Sequence, residues 1–157
     1  MKAAVITVND LCALGEFTDP CSAVVASKLA SAGIDVAVER AVKREFEAVA
    51  RVLRDCSAGD SSVDIVITTG GTGLSRRDIT PEATLSVIDR PIPGIAEEIR
   101  RCSAGGISNS ILSRGVAGLK HKTLIVNLPE SPDAVAHGID IVLPVLHQIA
   151  DLLNGIE

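Results

Sequence analysis

Tryptophan and tyrosine are missing from this chain, and phenylalanine occurs only twice. Almost no flat ring is left on which nucleic-acid bases could stack. No run of Lys or Arg is long enough to follow a phosphate backbone, and the net charge is −5. Nucleic-acid binding is disfavoured as the main role on both counts. An unbroken apolar stretch of roughly 18 residues is also missing, so no membrane span is expected. Cysteine is scarce: Cys12, Cys21, Cys56 and Cys102 form no CxxC pair and have no histidine at zinc-ligand spacing. They read as free thiols of a reducing compartment. The opening MKAAVITVND carries one lysine and a short apolar run, which reads as a first strand and not a signal peptide. The expected location is the cytoplasm.

What is present is the composition of a globular protein, with 22% charged and 46% apolar residues. A chain of 157 residues suits one domain spanning 1–157. Lys2–Val8 is apolar and bounded by Asn9-Asp10, as a strand buried on both faces would be. Asp19-Pro20 opens a helix carrying Val25, Leu29 and Ala32 and stopped by Gly33. Ile34–Arg40 reads as a second strand, and Phe46, Val49, Leu53 and Cys56 recur at helical spacing. Val63–Thr68 is a β-branched third strand, followed by helices at Pro81–Ile88 and Gly94–Cys102. A short strand is expected at Ile111–Ser113 and another at Thr123–Asn127. The closing helix from Ser131 contains Pro144, which should kink it by removing a hydrogen bond to the Asp140 carbonyl. Apolar strands alternating with amphipathic helices imply an α/β fold: a single three-layer α/β/α domain with a mostly parallel sheet.

The most informative stretch is TTGGTGLSRRDITPEAT, Thr68–Thr84, at the carboxyl end of the third strand. Ligands of open parallel sheets bind beyond those ends. Glycines there let backbone N–H groups converge on an anion, although a Gly-Gly-x-Gly run is equally the sequence of a tight turn. The stretch is neither a Walker loop nor a G-x-G-x-x-G dinucleotide turn. Thr80 is a good N-cap and Pro81 suits a first helical position, which would bring a helix dipole beside the glycines. Arg76 and Arg77 supply positive charge, while Asp78 and Glu82 supply carboxylates. Such a set suits a phosphate with a bridging Mg²⁺. The bland alternative has Asp78 capping the helix and the arginines solvated.

With these residues the stretch resembles the signature of the molybdopterin-binding family that includes MogA, MoaB and the G domains of plant and animal molybdenum-insertion proteins. A related domain occurs in CinA-type proteins. Matching blocks run through the chain in order: Thr7–Asp10, Gly15-Glu16 with Asp19, Pro93–Glu97, Leu112–Gly118 and Asn127–Pro129. The resemblance implies a trimeric, sometimes hexameric, protein of molybdenum cofactor synthesis, working beside a molybdate-insertion protein. MogA-like members transfer AMP from Mg·ATP to the terminal phosphate of molybdopterin and release pyrophosphate. On this resemblance Asp78 is catalytic and holds Mg²⁺, with Glu82 the second candidate for the metal. Thr69, Gly70, Gly71, Thr72 and Gly73 would cradle phosphate together with Arg77, Thr80 and Pro81. Ser113 and Arg114 would reach the ligand from a neighbouring strand end, with Arg114 otherwise a surface ion pair. Asn127, Pro129 and Ser131 complete the expected ligand-binding set, and Asp10 is either a ligand contact or a turn residue.

Three departures from the family pattern stand out. Arg44 takes the place of an aspartate that takes part in catalysis in active members, unless a one-residue slip brings Glu45 there instead. Glu130 stands where glycine is usual, and Asp133 where lysine is frequent. Pro20-Cys21-Ser22 replaces a Ser-Gly pair. Reversing one charge about 4 Å from a phosphate, at an effective dielectric near 20, is worth several kcal/mol as an upper illustration. A non-catalytic MoaB-like protein that holds molybdopterin or assembles with partners is therefore the alternative reading. A CinA-like nucleotide hydrolase is less expected, because the chain ends at Glu157 without a second domain.

Overall fold

A computed structural model describes residues 1–103 and 109–155. The single domain expected over 1–157 thus extends onto residues outside that description, at 104–108 and 156–157. The sheet is built from β1 (Lys2–Val8), β2 (Asp35–Val42), β3 (Ile65–Thr69), β4 (Arg90–Pro91), β5 (Ala117–Lys120) and β6 (Thr123–Leu128). Its order is β2-β1-β3-β6-β5-β4. The pairings β1–β2, β1–β3 and β3–β6 are parallel, whereas β5 runs antiparallel to both β6 and β4.

Among the described residues six α-helices surround the sheet: α1 (Asp10–Ala13), α2 (Pro20–Ser31), α3 (Phe46–Cys56), α4 (Thr80–Leu85), α5 (Pro93–Ser103) and α6 (Pro132–Asn154). Alternate residues of a strand point to opposite faces. Ala3 and Val5 accordingly join Leu29, Ile99, Ile139 and Leu146 from α2, α5 and α6 on one face. Ala4, Ile6 and Val8 join Val49, Leu53, Ala83 and Val87 from the α3–α4 side on the other. Both faces are covered, which is why β1 and β3 read as continuous apolar runs. The three-layer α/β/α expectation is met.

Several local expectations are corrected. Ile111–Ser113 is not a strand; a 3₁₀ turn covers Ser110–Leu112. The strands in that part of the sheet are β5 and the two-residue β4, neither legible in the sequence. A Cβ on Gly118 of β5 would lie 2.6 Å from Ile88 Cδ1 and 2.7 Å from the Arg90 carbonyl. The close approach of the two edges requires glycine, and glycine hides the strand. Helix α4 ends at Leu85, and its N-cap is Ile79, so Thr80 is already inside the helix. Pro144 does lie inside helix α6. By length and composition alone α6 is long and apolar enough to cross a bilayer. Its Val135, Ile139, Val142 and Leu146 are instead packed into the core.

Candidate functional site

The parallel strands deliver their following loops to one edge of the sheet. Asn9 and Asp10 follow β1, Arg44 follows β2, the glycine stretch follows β3, and Pro129–Ser131 follows β6. Gly70 and Gly71 have φ of 87° and 68°, the left-handed region that glycine enters without strain. Space forbids a side chain there too: a Cβ would sit 2.8 Å from the Val8 carbonyl at Gly70 and 2.3 Å from Thr80 Oγ1 at Gly71. Thr80 is fully buried, donates its hydroxyl to the Gly70 carbonyl at 2.9 Å and its N–H to the Gly71 carbonyl at 3.1 Å. Its role is to fasten the turn. Beneath the turn, Thr69 donates its hydroxyl to Asp19 Oδ2 at 3.1 Å.

Arg114 holds the other side of the loop. Its backbone N–H donates to the Thr72 carbonyl at 2.9 Å, Nε to the Gly73 carbonyl at 2.8 Å and Nη2 to the Asp78 carbonyl at 2.6 Å. Its remaining nitrogen pairs with Glu82. Partial burial pushes the Glu82 carboxyl up, but the Arg114 contact outweighs it and holds the group below its ordinary range. Asn127 is likewise turned inward: Nδ2 donates to Thr68 Oγ1 at 3.0 Å and Thr84 Oγ1 at 2.9 Å, and Oδ1 accepts the Val116 N–H at 3.2 Å. Arg114, Glu82, Asn127, Thr80 and Pro81 therefore support the site from behind.

In front lies a cleft of about 530 Å³. Of the residues anticipated from the sequence, Gly71, Thr72, Gly73, Asp78, Ser113, Pro129 and Ser131 line it. Arg100 and Ile99 of α5, with Leu112, also line it and were not anticipated. Arg100 Nη1 donates to the Gly115 carbonyl at 2.9 Å, which fixes the loop that presents Ser113. Nothing in the sequence marks Arg100, because an arginine near the end of an amphipathic helix is ordinary there.

Arg44 is not among the residues that line the cleft, but it pairs with two that are, Asp78 and Glu130. Its Nη1 lies 3.4 Å from Asp78 Oδ1 and its Nη2 2.8 Å from Glu130 Oε2. Its backbone N–H donates to Asp10 Oδ1 at 2.9 Å, while Asp10 Oδ2 takes Arg77 Nη1 at 2.6 Å. The Arg44 N–H, aided by the Arg77 guanidinium, holds the Asp10 carboxyl below its ordinary range. Two of the departures noted in the sequence are thus one feature, since Arg44 and Glu130 are ion-paired. Asp133, in the first turn of α6, does not line the cleft.

These residues do not fit a divalent ion on Asp78 and Glu82. The second Asp78 oxygen accepts the Ser75 N–H at 3.0 Å, and each carboxylate faces a different guanidinium. Among the described residues, no three His, Cys, Asp or Glu side chains come close enough together to hold a metal.

A family model described as "Probable molybdopterin binding domain" matches residues 4–148. A molybdopterin adenylyltransferase of Helicobacter pylori is 44% identical over 92 residues, 59% of this chain and 52% of that protein. Its counterpart in Haemophilus influenzae is 32% identical over 142 residues, covering 89% and 72% respectively. The crystal structure of the molybdopterin biosynthesis enzyme MoaB from Thermus thermophilus superposes with a TM-score of 0.89 at 38% identity, covering 98% of this chain and 96% of that one. The aligned part spans about half the length of the Helicobacter relative.

Proposed function

This chain belongs to the molybdopterin-binding family, and on that premise we propose that it serves molybdenum cofactor biosynthesis as a molybdopterin adenylyltransferase. The reaction moves AMP from ATP to the terminal phosphate of molybdopterin. A phosphate oxygen of molybdopterin bonds to the α-phosphorus as the bond to the bridging oxygen breaks, and the electron pair leaves with pyrophosphate. The nucleophile is already ionised near neutral pH, so the chemistry needs positioning and charge neutralisation more than a base.

The observation that carries this reading is the fastened glycine turn opening onto a cleft lined by Asp78, Arg100 and Ser113. The Gly71–Gly73 backbone and Thr72 hold phosphate, Ser113 and Ser131 offer hydroxyls, and Pro129 with Leu112 gives the ring system an apolar wall. Magnesium would come as the counter-ion of the nucleotide, where it would supply charge neutralisation without a ligand from Asp78 or Glu82. The same reading carries a homotrimer or hexamer, a cytoplasmic location and delivery of product to a molybdate-insertion protein.

Single-turnover transfer of label from α-³²P-ATP to molybdopterin tests it. Transfer that falls at least about a hundredfold in Asp78→Asn supports the enzyme. A second reading, a MoaB-like binding protein without chemistry, is favoured by the Arg44–Glu130 pair, whose carboxylate lines the cleft. Molybdopterin bound without label transfer would decide for it.

A further inference from the structure

The Arg44 cluster holds more than a departure from pattern. Arg44 stands after the edge strand β2, Asp78 after β3 and Glu130 after β6, so three separate loops converge on one guanidinium. The fork is divided, one η nitrogen to each carboxylate. The partners are unequal. The Asp78 side chain is only 12% exposed and is also held by the Ser75 N–H, whereas Glu130 is 62% exposed and its Oε2 has Arg44 as its only side-chain partner among the described residues. Glu130 Oε2 also lies 3.3 Å from the position a Cβ would take on Gly70, so this carboxylate rests on the glycine turn itself.

A nearly buried carboxylate needs a cation. Here the guanidinium supplies it from within the chain, at the oxygen a metal would use. A divalent ion would have to displace a like charge and find oxygen ligands at about 2.1 Å that this cluster does not present.

We propose that Arg44 is the resident cation of the two acidic residues that line the cleft, oriented by Asp78, and that Glu130 is an internal stand-in for the ligand's anion. A phosphate group, of the pterin or of the nucleotide, displaces the exposed Glu130 carboxylate and takes over Arg44 Nη2 above Gly70. Asp78 then acts as a positioning residue for Arg44 and not as a metal ligand. This deepens the proposed function, since it assigns the residue that receives a phosphate in that same site, but none of its readouts requires AMP transfer. A protein that binds molybdopterin without adenylylating it would leave the result below intact.

The test uses the full chain with inorganic pyrophosphate as probe, in EDTA, followed by calorimetry. Binding without divalent ions is expected; Glu130→Gln should tighten it about threefold or more, and Arg44→Ala should weaken it about tenfold or more. Either ATP or molybdopterin should compete with the probe, which identifies the source of the phosphate. Electron paramagnetic resonance with Mn²⁺ alone supplies the second arm. Wild type and Arg44→Lys should take up no Mn²⁺ at this site, Arg44→Ala should gain a site, and adding Asp78→Asn should remove it. Pyrophosphate binding that needs a divalent ion, weaker binding in Glu130→Gln, competition by neither ligand, or Mn²⁺ held through Asp78 with Arg44 in place would each overturn the proposal. Thermal melting of every variant separates loss of binding from loss of fold.

Discussion

Two arginines flank the same glycine turn and do different work. Arg114 gives its guanidinium to two backbone carbonyls and one carboxylate of the loop, behind the cleft. Arg44 gives its guanidinium only to carboxylates that line the cleft. A guanidinium on main-chain carbonyls fixes a shape, because those acceptors cannot move without rebuilding the loop. One on side chains can exchange a partner for a ligand, because a glutamate that is mostly solvated loses little on leaving. The same residue type is therefore a buttress on one flank and a receptor on the other.

Removing support behind the turn should break this comparison most sharply. Asn127→Ala leaves the partly buried Val116 N–H without its acceptor and strips two buried threonine hydroxyls of a donor, and should cost about 2 kcal/mol in urea unfolding at unchanged m-value. Arg114→Ala should cost about 2 kcal/mol, and Arg114→Lys should recover less than half, because an ammonium cannot span carbonyls that the fork reaches together. Arg44→Ala should weaken anion binding about tenfold or more, and whatever stability it loses by leaving the nearly buried Asp78 without a cation should be recovered on adding Asp78→Asn. If Arg44→Ala unfolded the loop as Arg114→Ala does, as read by proteolysis of the Gly71–Asp78 segment, the distinction would fail.

The smallest effect is in pH. The folded-state value of Glu82 is depressed by Arg114, so its contribution is complete above the ordinary carboxylate range and is lost as pH falls through the depressed value. Wild type should therefore shed a fraction of its stability below about pH 4 that Arg114→Ala lacks, visible as a flatter acid limb in urea midpoints. Asp10, held down by the Arg44 N–H and Arg77, has the same sign on the other flank, and Arg77→Ala should flatten that limb slightly.

Much of the architecture was legible in the chain. The buried strands β1, β3 and β6 announce themselves by β-branched apolar runs, and α3 by its stripe of Val49, Leu53 and Cys56. β4 and β5 were not legible, since a two-residue strand has no period and Gly118 is dictated by an interstrand distance. At the site, the glycine stretch, Asp78 and Ser113 were named from the sequence and do line the cleft, because turn chemistry and chemical type are local properties. The direction each side chain takes was not. Thr80 looked like a cap and is a fastener; Arg114 looked like a ligand contact and is a brace.

What the sequence by itself determined is the layered α/β plan, the place of the cleft beyond the strand ends and the family to which the chain belongs. These follow from periodicity, glycine placement and ordered blocks of residues, all of which are written along one dimension. Tertiary structure alone decided which charges meet. Arg44, Asp78 and Glu130 are separated by 34 and 86 positions from the arginine to each carboxylate, and only the parallel sheet brings their loops to one edge. Electrostatic energy depends on a few ångströms of separation and on burial, and neither quantity exists until the chain has folded.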